Sequence, residues 1–284
     1  MFKKVLVTGG VGFIGTNLIK SLIELGIKVE SIDDYSQGSK NNEIRGVRYH
    51  ELDIEKVNEL INDFDLCFHL AAKSRVQPSF ESPMDYFRVN ARGTASILEW
   101  AKQNNTKVIY AGSSSRHHNP SDSPYAMYKY LGEEICKLYK TSYDLDVKIA
   151  RFYNVYGPYE SVDEKFGNVI GIWRSKINNN KPLPIVGDGN QRRDFTYVGD
   201  IVDGLIKIAS SNIENNDAWE LGTGTNYSIN ELFDFFKEKF KCTSEYIDDQ
   251  KGNYRKTLRK NDEMLEKLNW HPKDRLKEYI LSLH

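Results

Sequence analysis

Apolar residues follow two rhythms along the first half of the chain. Short, nearly unbroken apolar runs at 5–7, 29–32, 47–52, 66–70, 108–111 and 147–152 read as buried strands. Between most of them, apolar residues recur at helical spacing. Phe13, Ile14, Leu18, Leu22 and Leu25 form one such stripe, and Gly26 ends it. The stretches 85–104 and 125–143 form two more. Strands alternating with helices predict an α/β fold, a Rossmann-like doubly wound parallel sheet with helices on both faces. Ligands of such a sheet sit beyond the C-terminal strand ends, where the strand order reverses.

After about Tyr153 the rhythm shortens, and proline and glycine become frequent (Gly157-Pro158, Pro182, Pro184, Gly187, Gly189). The expected division is a nucleotide-binding Rossmann domain over 1–152 and a smaller mixed α/β substrate-binding region over 153–284. Segments around 185–210 are expected to return to the first sheet.

Composition narrows the function classes. Among 284 residues, 39 basic side chains face 40 acidic ones, a formal net charge of -1. That balance gives no field for nucleic acid or an anionic membrane, so neither is expected as a partner. Cys67, Cys136 and Cys242 are far apart and lack C-x-x-C spacing, against a disulfide framework or a structural zinc site. A reducing cytoplasm is the expected location. No apolar stretch approaches the ~20 residues of a membrane span, and the apolar run near the start is too short for a signal segment.

Two motifs carry chemistry. Thr8-Gly9-Gly10-Val11-Gly12-Phe13-Ile14-Gly15 follows a strand and opens a helix. Glycines at 9, 12 and 15 permit a tight turn, close approach of backbone to a pyrophosphate, and packing of helix on strand. The helix N-terminus offers unpaired N–H groups to phosphate. Asp33 ends the next strand, where a carboxylate accepts from an adenosine ribose and repels a 2′-phosphate, so NAD is expected rather than NADP. Asp53, at the third strand end, either reaches the adenine amine or caps the turn at Ile54-Glu55, and the two roles are compatible.

The second motif is Tyr125 with Lys129. Positions i and i+4 share a helix face, and an ammonium beside a phenol lowers the phenol's pKa. A phenolate can then remove a proton from a sugar hydroxyl. The pair follows the strand that leads into Ser113-Ser114-Ser115, where a serine hydroxyl can donate to the reacting oxygen.

The chain resembles extended short-chain dehydrogenase/reductases of the nucleotide-sugar class, and within them most closely the UDP-sugar 4-epimerases. The likeness runs nearly end to end. It rests on the glycine turn, His69-Leu70-Ala71-Ala72, Asn90 with Gly93-Thr94, the serine loop and Pro124-Tyr125-x-x-x-Lys129. It continues through Arg151-Phe152-Tyr153-Asn154-Val155-Tyr156-Gly157-Pro158 and Gly187-Asp188-Gly189-x-Gln191-x-Arg193-Asp194-Phe195.

This resemblance implies NAD as cofactor, bound by the glycine turn with Phe13 and Ile14, by Asp33, Asp53 and Ile54, by Leu70, Ala71, Ala72 and Asn90, and by Tyr125 and Lys129. Tyr125 is then the base, Lys129 the ligand of the nicotinamide ribose and Ser115 the support of the reacting oxygen, with Ser114 as the alternative frame. Asn154, Arg193 and Arg255 are expected at the substrate's phosphates. Thr257 is expected on the pocket wall, small enough to leave room for an N-acetyl group at the sugar's C2. The implied reaction is redox-neutral inversion at C4 of UDP-Glc/Gal or UDP-GlcNAc/GalNAc through a transient 4-keto sugar.

Dehydratase relatives carry Asp-Glu directly after the Ser/Thr. Here Arg116-His117 follows Ser115, which disfavours a dehydratase and a glutamate-dependent decarboxylase. His117 is either an acid–base group or a loop residue, and a metal role for His117-His118 lacks further ligands. Rival readings are a UDP-glucuronate 4-epimerase, a 4,6-dehydratase or a reductase on the same scaffold, and a silent NAD-sensing regulator. A homodimer through the helices at 85–104 and 125–143 is expected by similarity, with Ile97, Leu98, Trp100, Leu131, Ile135 and Leu138 serving core or interface.

Overall fold

Successive side chains of a strand point to opposite faces, and the first strand shows the consequence. Val5 and Val7 pack into one apolar cluster with Leu18, Ile19 and Leu22, while Leu6 joins a second cluster with Ile97, Leu98 and Trp100. Both faces of the sheet are therefore covered, as continuous apolar runs require. The structure is a computed structural model and describes residues 2–60, 63–260 and 263–284.

The main sheet contains β1 (Lys4–Thr8), β2 (Lys28–Asp33), β3 (Arg48–Glu51), β4 (Leu66–His69), β5 (Lys107–Ser113) and β6 (Val147–Phe152). A seventh strand, Trp219–Leu221, pairs with β6. From that strand the order runs β6-β5-β4-β1-β2-β3, all pairs parallel. The order reverses between β1 and β4, so the expected crevice lies beyond Thr8 and His69. Helix α1 (Phe13–Glu24) follows β1, and Gly26 just past its end takes φ 74°, the left-handed conformation that glycine adopts freely.

Only part of the 185–210 segment returns to the main sheet. Residues 183–197 pair outside the main sheet, in two-stranded ladders with 244–247, 226–228 and 155–156. The Val198–Ser210 helix and the Trp219–Leu221 strand are what rejoin it: Ile201, Leu205 and Trp219 sit in the same cluster as Val5 and Val7. Short proline- and glycine-bounded strands before 198 disguised that handover. A third cluster, built on Tyr156, Trp173, Leu183 and Phe236, belongs to the C-terminal half.

The helical stretch expected at 85–104 is present, starts at Pro83 and contains a π-helical turn. Pro83–Phe87 is helical, Arg88–Gly93 is a π-helical turn, and Thr94–Asn104 resumes the α-helix. Gly93 lies against Ile54, whose Cδ1 would be 2.4 Å from an added Cβ. Ile97, Leu98 and Trp100 are core residues, whereas Leu138 is exposed.

Candidate active site

One cavity of about 910 Å³ opens beyond the C-terminal ends of β1, β4 and β5 and extends to the C-terminal half. Its floor is the glycine turn. Gly9 has φ 73°, and a Cβ there would lie 2.9 Å from the backbone N and Cα of Ala71. A Cβ on Gly15 would lie 2.1 Å from the Gly9 carbonyl oxygen. The Gly12 amide donates to the same oxygen at 3.2 Å. Gly9, Gly12, Phe13, Ile14 and Gly15 all line the cavity.

Asp33 and Asp53 reach it from the neighbouring strand ends. The buried Asp33 carboxylate accepts from the Val11 amide at 3.1 Å and the Tyr35 amide at 2.9 Å. Burial pushes its pKa up while those two bonds pull it down. Asp53 caps the following turn by accepting from the Glu55 amide at 3.0 Å and pairs with Arg88, so the capping role is realised at a residue that also lines the cavity. Ile54, Leu70, Ala71 and Ala72 complete this wall.

Asn90 stands behind the cavity wall. It is not among the cavity-lining residues, because its amide is spent on one backbone unit. The Lys73 amide donates to its Oδ1 at 2.8 Å and its Nδ2 donates to the Lys73 carbonyl at 2.9 Å. Asn90 thus fixes the loop behind the wall rather than forming the wall. His69 does similar work. Its Nδ1 lies 2.8 Å from Thr8 Oγ1 and its Nε2 3.1 Å from Thr94 Oγ1. Burial, with the Lys129 charge adding to it, lowers its pKa to about 3, so it is a neutral brace between β1, β4 and the Thr94–Asn104 helix.

Tyr125 and Lys129 enter from the Pro124–Tyr143 helix, whose first turn is capped by Ser123 accepting from the Ala126 amide at 3.1 Å. The Tyr125 hydroxyl donates to Ser113 Oγ at 3.3 Å. The serine frame is therefore shifted from the expected one. Strand β5 runs through Ser113, whose side chain also accepts from the Ser115 amide at 3.2 Å. Ser115 is buried with its own hydroxyl unpaired among the described residues. With Ser113 facing the phenol, the two following residues are Ser114 and Ser115, and neither is a carboxylate.

The electrostatics differ from expectation as well. Burial pushes the Tyr125 phenol up, and the opposing pulls come from the Ser113 hydrogen bond and the Arg75 charge. Lys129 was expected to supply that pull. Its ammonium instead donates to the Ala111 carbonyl and lies 4.7 Å from the Tyr110 ring centroid. Burial brings its pKa down to about 8.

The far wall holds Asn154, Arg193 and Thr257. Asn154 Nδ2 donates to Thr257 Oγ1 at 3.0 Å and to the Asp194 carbonyl at 3.2 Å. Thr257 Oγ1 also accepts from the Asp194 amide at 3.2 Å. Arg193 lines the cavity, donates to Asn253 Oδ1 at 2.6 Å and to the Arg192 carbonyl at 3.0 Å, and has no carboxylate partner among the described residues. Burial, together with the charge of Arg255, brings its pKa down to about 10. Such a cation suits an anionic ligand, whose oxygens an arginine fork can take two at a time.

Arg255 also stands apart from the cavity. It is absent from the cavity wall, its side chain is 65% exposed, and its guanidinium makes a two-point pair with Asp188 at 2.9 and 3.0 Å. The loop Arg116-His117-His118 is likewise outside the cavity wall. Arg116 pairs with Glu134 at 2.9 Å, and His117 Nε2 lies 3.1 Å from Glu220. Glu220 is held by the buried Arg151 at 2.7 Å and by the Tyr153 hydroxyl at 2.8 Å. His118 stacks on Tyr254 with ring centroids 3.7 Å apart. These contacts make a braced loop, and no group that could hold a metal ion occurs among the described residues. No described helix is long and apolar enough to cross a membrane.

Sequence reasoning missed two cavity residues, Ser113 and Arg75. Ser113 was one of three serines whose frame only the length of β5 decides. Arg75 lies three residues past the His69–Ala72 motif and carried no signal of its own.

Comparison with known proteins follows the same lines. The model of the family described as "NAD dependent epimerase/dehydratase family" matches residues 5–222. A putative UDP-glucose 4-epimerase of Methanocaldococcus jannaschii is 35% identical, over 97% of this chain and 95% of its own. Among solved structures, the UDP-glucose 4-epimerase of Thermotoga maritima with UDP-glucose superposes with a TM-score of 0.90 at 28% identity, covering 98% of this chain and 96% of that one. The UDP-N-acetylglucosamine 4-epimerase of Methanobrevibacter ruminantium in complex with UDP-N-acetylmuramic acid gives 0.88 at 30% identity, with the same coverage. The chain belongs to the NAD dependent epimerase/dehydratase family, and NAD is its cofactor.

Proposed function

We propose that this chain interconverts the C4 epimers of a UDP-linked hexose, with no net redox change. The observation that carries this reading is the Tyr125 hydroxyl on Ser113 inside the one cavity that also holds the glycine turn and the acid-free Arg193. Gly9, Gly12 and the first amides of α1 would take the cofactor's pyrophosphate, Asp33 its ribose, and Asp53 and Ile54 its adenine end. The cradle fits, because side chains at Gly9 or Gly15 would collide with backbone. The chemistry that bound NAD would supply is acceptance of hydride from C4 and its return.

The chain's own groups handle the proton and the anchoring. Tyr125 removes the proton from the 4-hydroxyl and gives it back after the sugar has turned. Ser113 steadies that oxygen at both stages. Arg193 anchors the diphosphate, so the sugar can rotate without leaving. With no carboxylate at 114 or 115, water loss at C5–C6 lacks an acid–base pair next to the reacting oxygen. Thr257, a short side chain on the wall, leaves room at C2.

The test is incubation of the NAD-loaded protein with UDP-glucose, UDP-galactose and their 2-acetamido counterparts, with products read by mass spectrometry and NMR. An unchanged mass with inverted C4 supports the reading, and loss of water, or no C4 inversion of any UDP-hexose or UDP-hexuronate, overturns it. Comparable turnover of UDP-galactose and UDP-N-acetylgalactosamine is expected from the small Thr257.

Two further outcomes are expected. Arg193→Met should raise KM about 10- to 100-fold with a smaller effect on kcat, since a charged hydrogen bond contributes ~1.5–3 kcal/mol and serves ground and transition states alike. A similar fall in kcat alone would show that Arg193 does not anchor substrate. A homodimer is expected through the outer faces of the helices at 83–104 and 124–143, where Met84 and Leu138 are exposed apolar residues. Leu138→Glu should then elute at half the mass of the wild type in size-exclusion light scattering, and a monomeric wild type would refute the pairing.

A further inference from the structure

Arg75 stands at an unusual backbone position. Its φ is 82°, in the region that residues other than glycine seldom occupy. The conformation aims the side chain across the cavity, where Nε donates to the Phe166 carbonyl at 3.1 Å. Two loops 91 residues apart in sequence are thereby joined over the site.

The guanidinium has no carboxylate partner among the described residues. Glu160 is the acid whose charge it feels, but that carboxylate is already occupied by Asn168 at 2.8 Å, Tyr279 at 3.3 Å and Arg174 at 3.4 Å. The other neighbours that Arg75 acts on are phenols, Tyr125 first and then Tyr86. It is half-buried in the cavity wall, a fixed cation with no carboxylate to neutralise it, and burial lowers its pKa. Buried charges are ordinarily paired.

Its place relative to the proposed chemistry identifies what it pairs with. On the reading given above, Tyr125 works at C4 of the hexose. The diphosphate hangs from C1, across the ring from C4, whereas C6 hangs from C5, next to C4. A cation that acts on the Tyr125 phenol is therefore remote from the phosphates and beside the groups that flank C4, the C3 hydroxyl and the C6 substituent on C5, and of these only C6 can carry a charge. An alcohol at C6 leaves the charge uncompensated, and a carboxylate neutralises it with a two-point hydrogen bond.

We propose that Arg75 is a specificity residue that recognises a C6 carboxylate, so that the preferred substrates are UDP-linked hexuronates. This rests on the proposed C4 epimerisation for its orientation of the sugar. Thr257 concerns C2, so a 2-acetamido uronate is accommodated as well.

Binding and turnover are measured separately, so that the two readings fail separately. Arg75→Gly keeps the left-handed backbone at no steric cost but also removes the bond to the Phe166 carbonyl, a loss that binding of UDP alone reports. Calorimetry on NAD-loaded protein uses UDP-glucuronate, UDP-glucose and UDP. Wild type is expected to bind UDP-glucuronate about 10-fold or more tightly than UDP-glucose. Arg75→Gly should bring that ratio close to one, and Arg75→Lys should restore part of it. Equal affinities in wild type, or an equal loss for all three ligands in Arg75→Gly, would overturn the assignment, the latter pointing to the diphosphate. NMR of the products decides the reaction independently. UDP-galacturonate formed from UDP-glucuronate is expected. Inversion of neutral sugars alone would sink the uronate proposal and leave epimerisation standing.

Discussion

Tyr125→Phe is expected to lower kcat about 10²- to 10⁴-fold while NAD affinity stays within a few-fold of wild type. The substitution removes one oxygen and little else. The ring keeps its edge contact with Tyr86, with centroids 6.5 Å apart and planes at 84°. The helix start is secured independently by Ser123. What disappears is the group proposed to take the sugar's proton, and positioned proton transfer supplies a factor of this size. The pH profile gives a second readout. The active base is the phenolate, and burial pushes the Tyr125 pKa above that of a free phenol, against the pulls of Ser113 and Arg75. The wild-type rate should therefore climb as pH rises through that pKa, and the climb should vanish in Tyr125→Phe. Unchanged turnover in the variant would remove Tyr125 from the chemistry. Unchanged biological activity with normal NAD binding would favour a sensor over an enzyme.

The parts of this site legible in the sequence are those fixed by local geometry. A glycine at 9 must take positive φ where Ala71 comes within 2.9 Å of its missing Cβ, and the strand–turn–helix context announces that need. Tyr125 and Lys129 share a helix face by spacing alone, and six of the seven main-sheet strands follow from apolar runs. What the sequence hid depends on partners distant in the chain. Asn90 looks like a ligand contact until Lys73 takes up its amide. Arg255 looks like a phosphate arginine until Asp188 captures it on the surface. Three adjacent serines are equivalent as letters, and only the point where β5 ends selects Ser113. Arg75 is the extreme case. Its positive φ and its tie to Phe166 exist only once loops from both halves of the chain meet.

These differences share a cause. A helix or strand end sets the direction of its own side chains, so motifs that straddle such ends can be read directly. A side chain's electrostatic task is set by whatever it meets after packing. Lys129 shows this within one motif: its spacing from Tyr125 was readable, but the Ala111 carbonyl that holds its ammonium was not. The charge that acts on the phenol comes from Arg75 instead.

Gly15→Ala should abolish measurable NAD binding, a loss of more than about 100-fold, although it adds a single methyl group. The added carbon would lie 2.1 Å from the Gly9 carbonyl oxygen, 2.8 Å from the Gly10 Cα and 3.0 Å from the Gly9 carbonyl carbon. All three are backbone atoms, so no side-chain rotation relieves the clash. Helix α1 must move away from the turn, and with it the amides proposed to hold the pyrophosphate. Overpacking of this kind also costs about 1–3 kcal/mol of stability, so a control must separate instability from loss of the site. Gly26→Ala provides it. That glycine lies beyond the other end of the same helix, where an added Cβ meets nothing within 4 Å. Its φ of 74° still penalises alanine, by about 1–2 kcal/mol. The two variants should thus melt at similarly reduced temperatures, yet only Gly26→Ala should titrate with NAD like the wild type. If both bind NAD normally, the glycine turn is not where the pyrophosphate lies. If both lose it together, the loss reflects stability and the assignment of the turn must rest on other evidence.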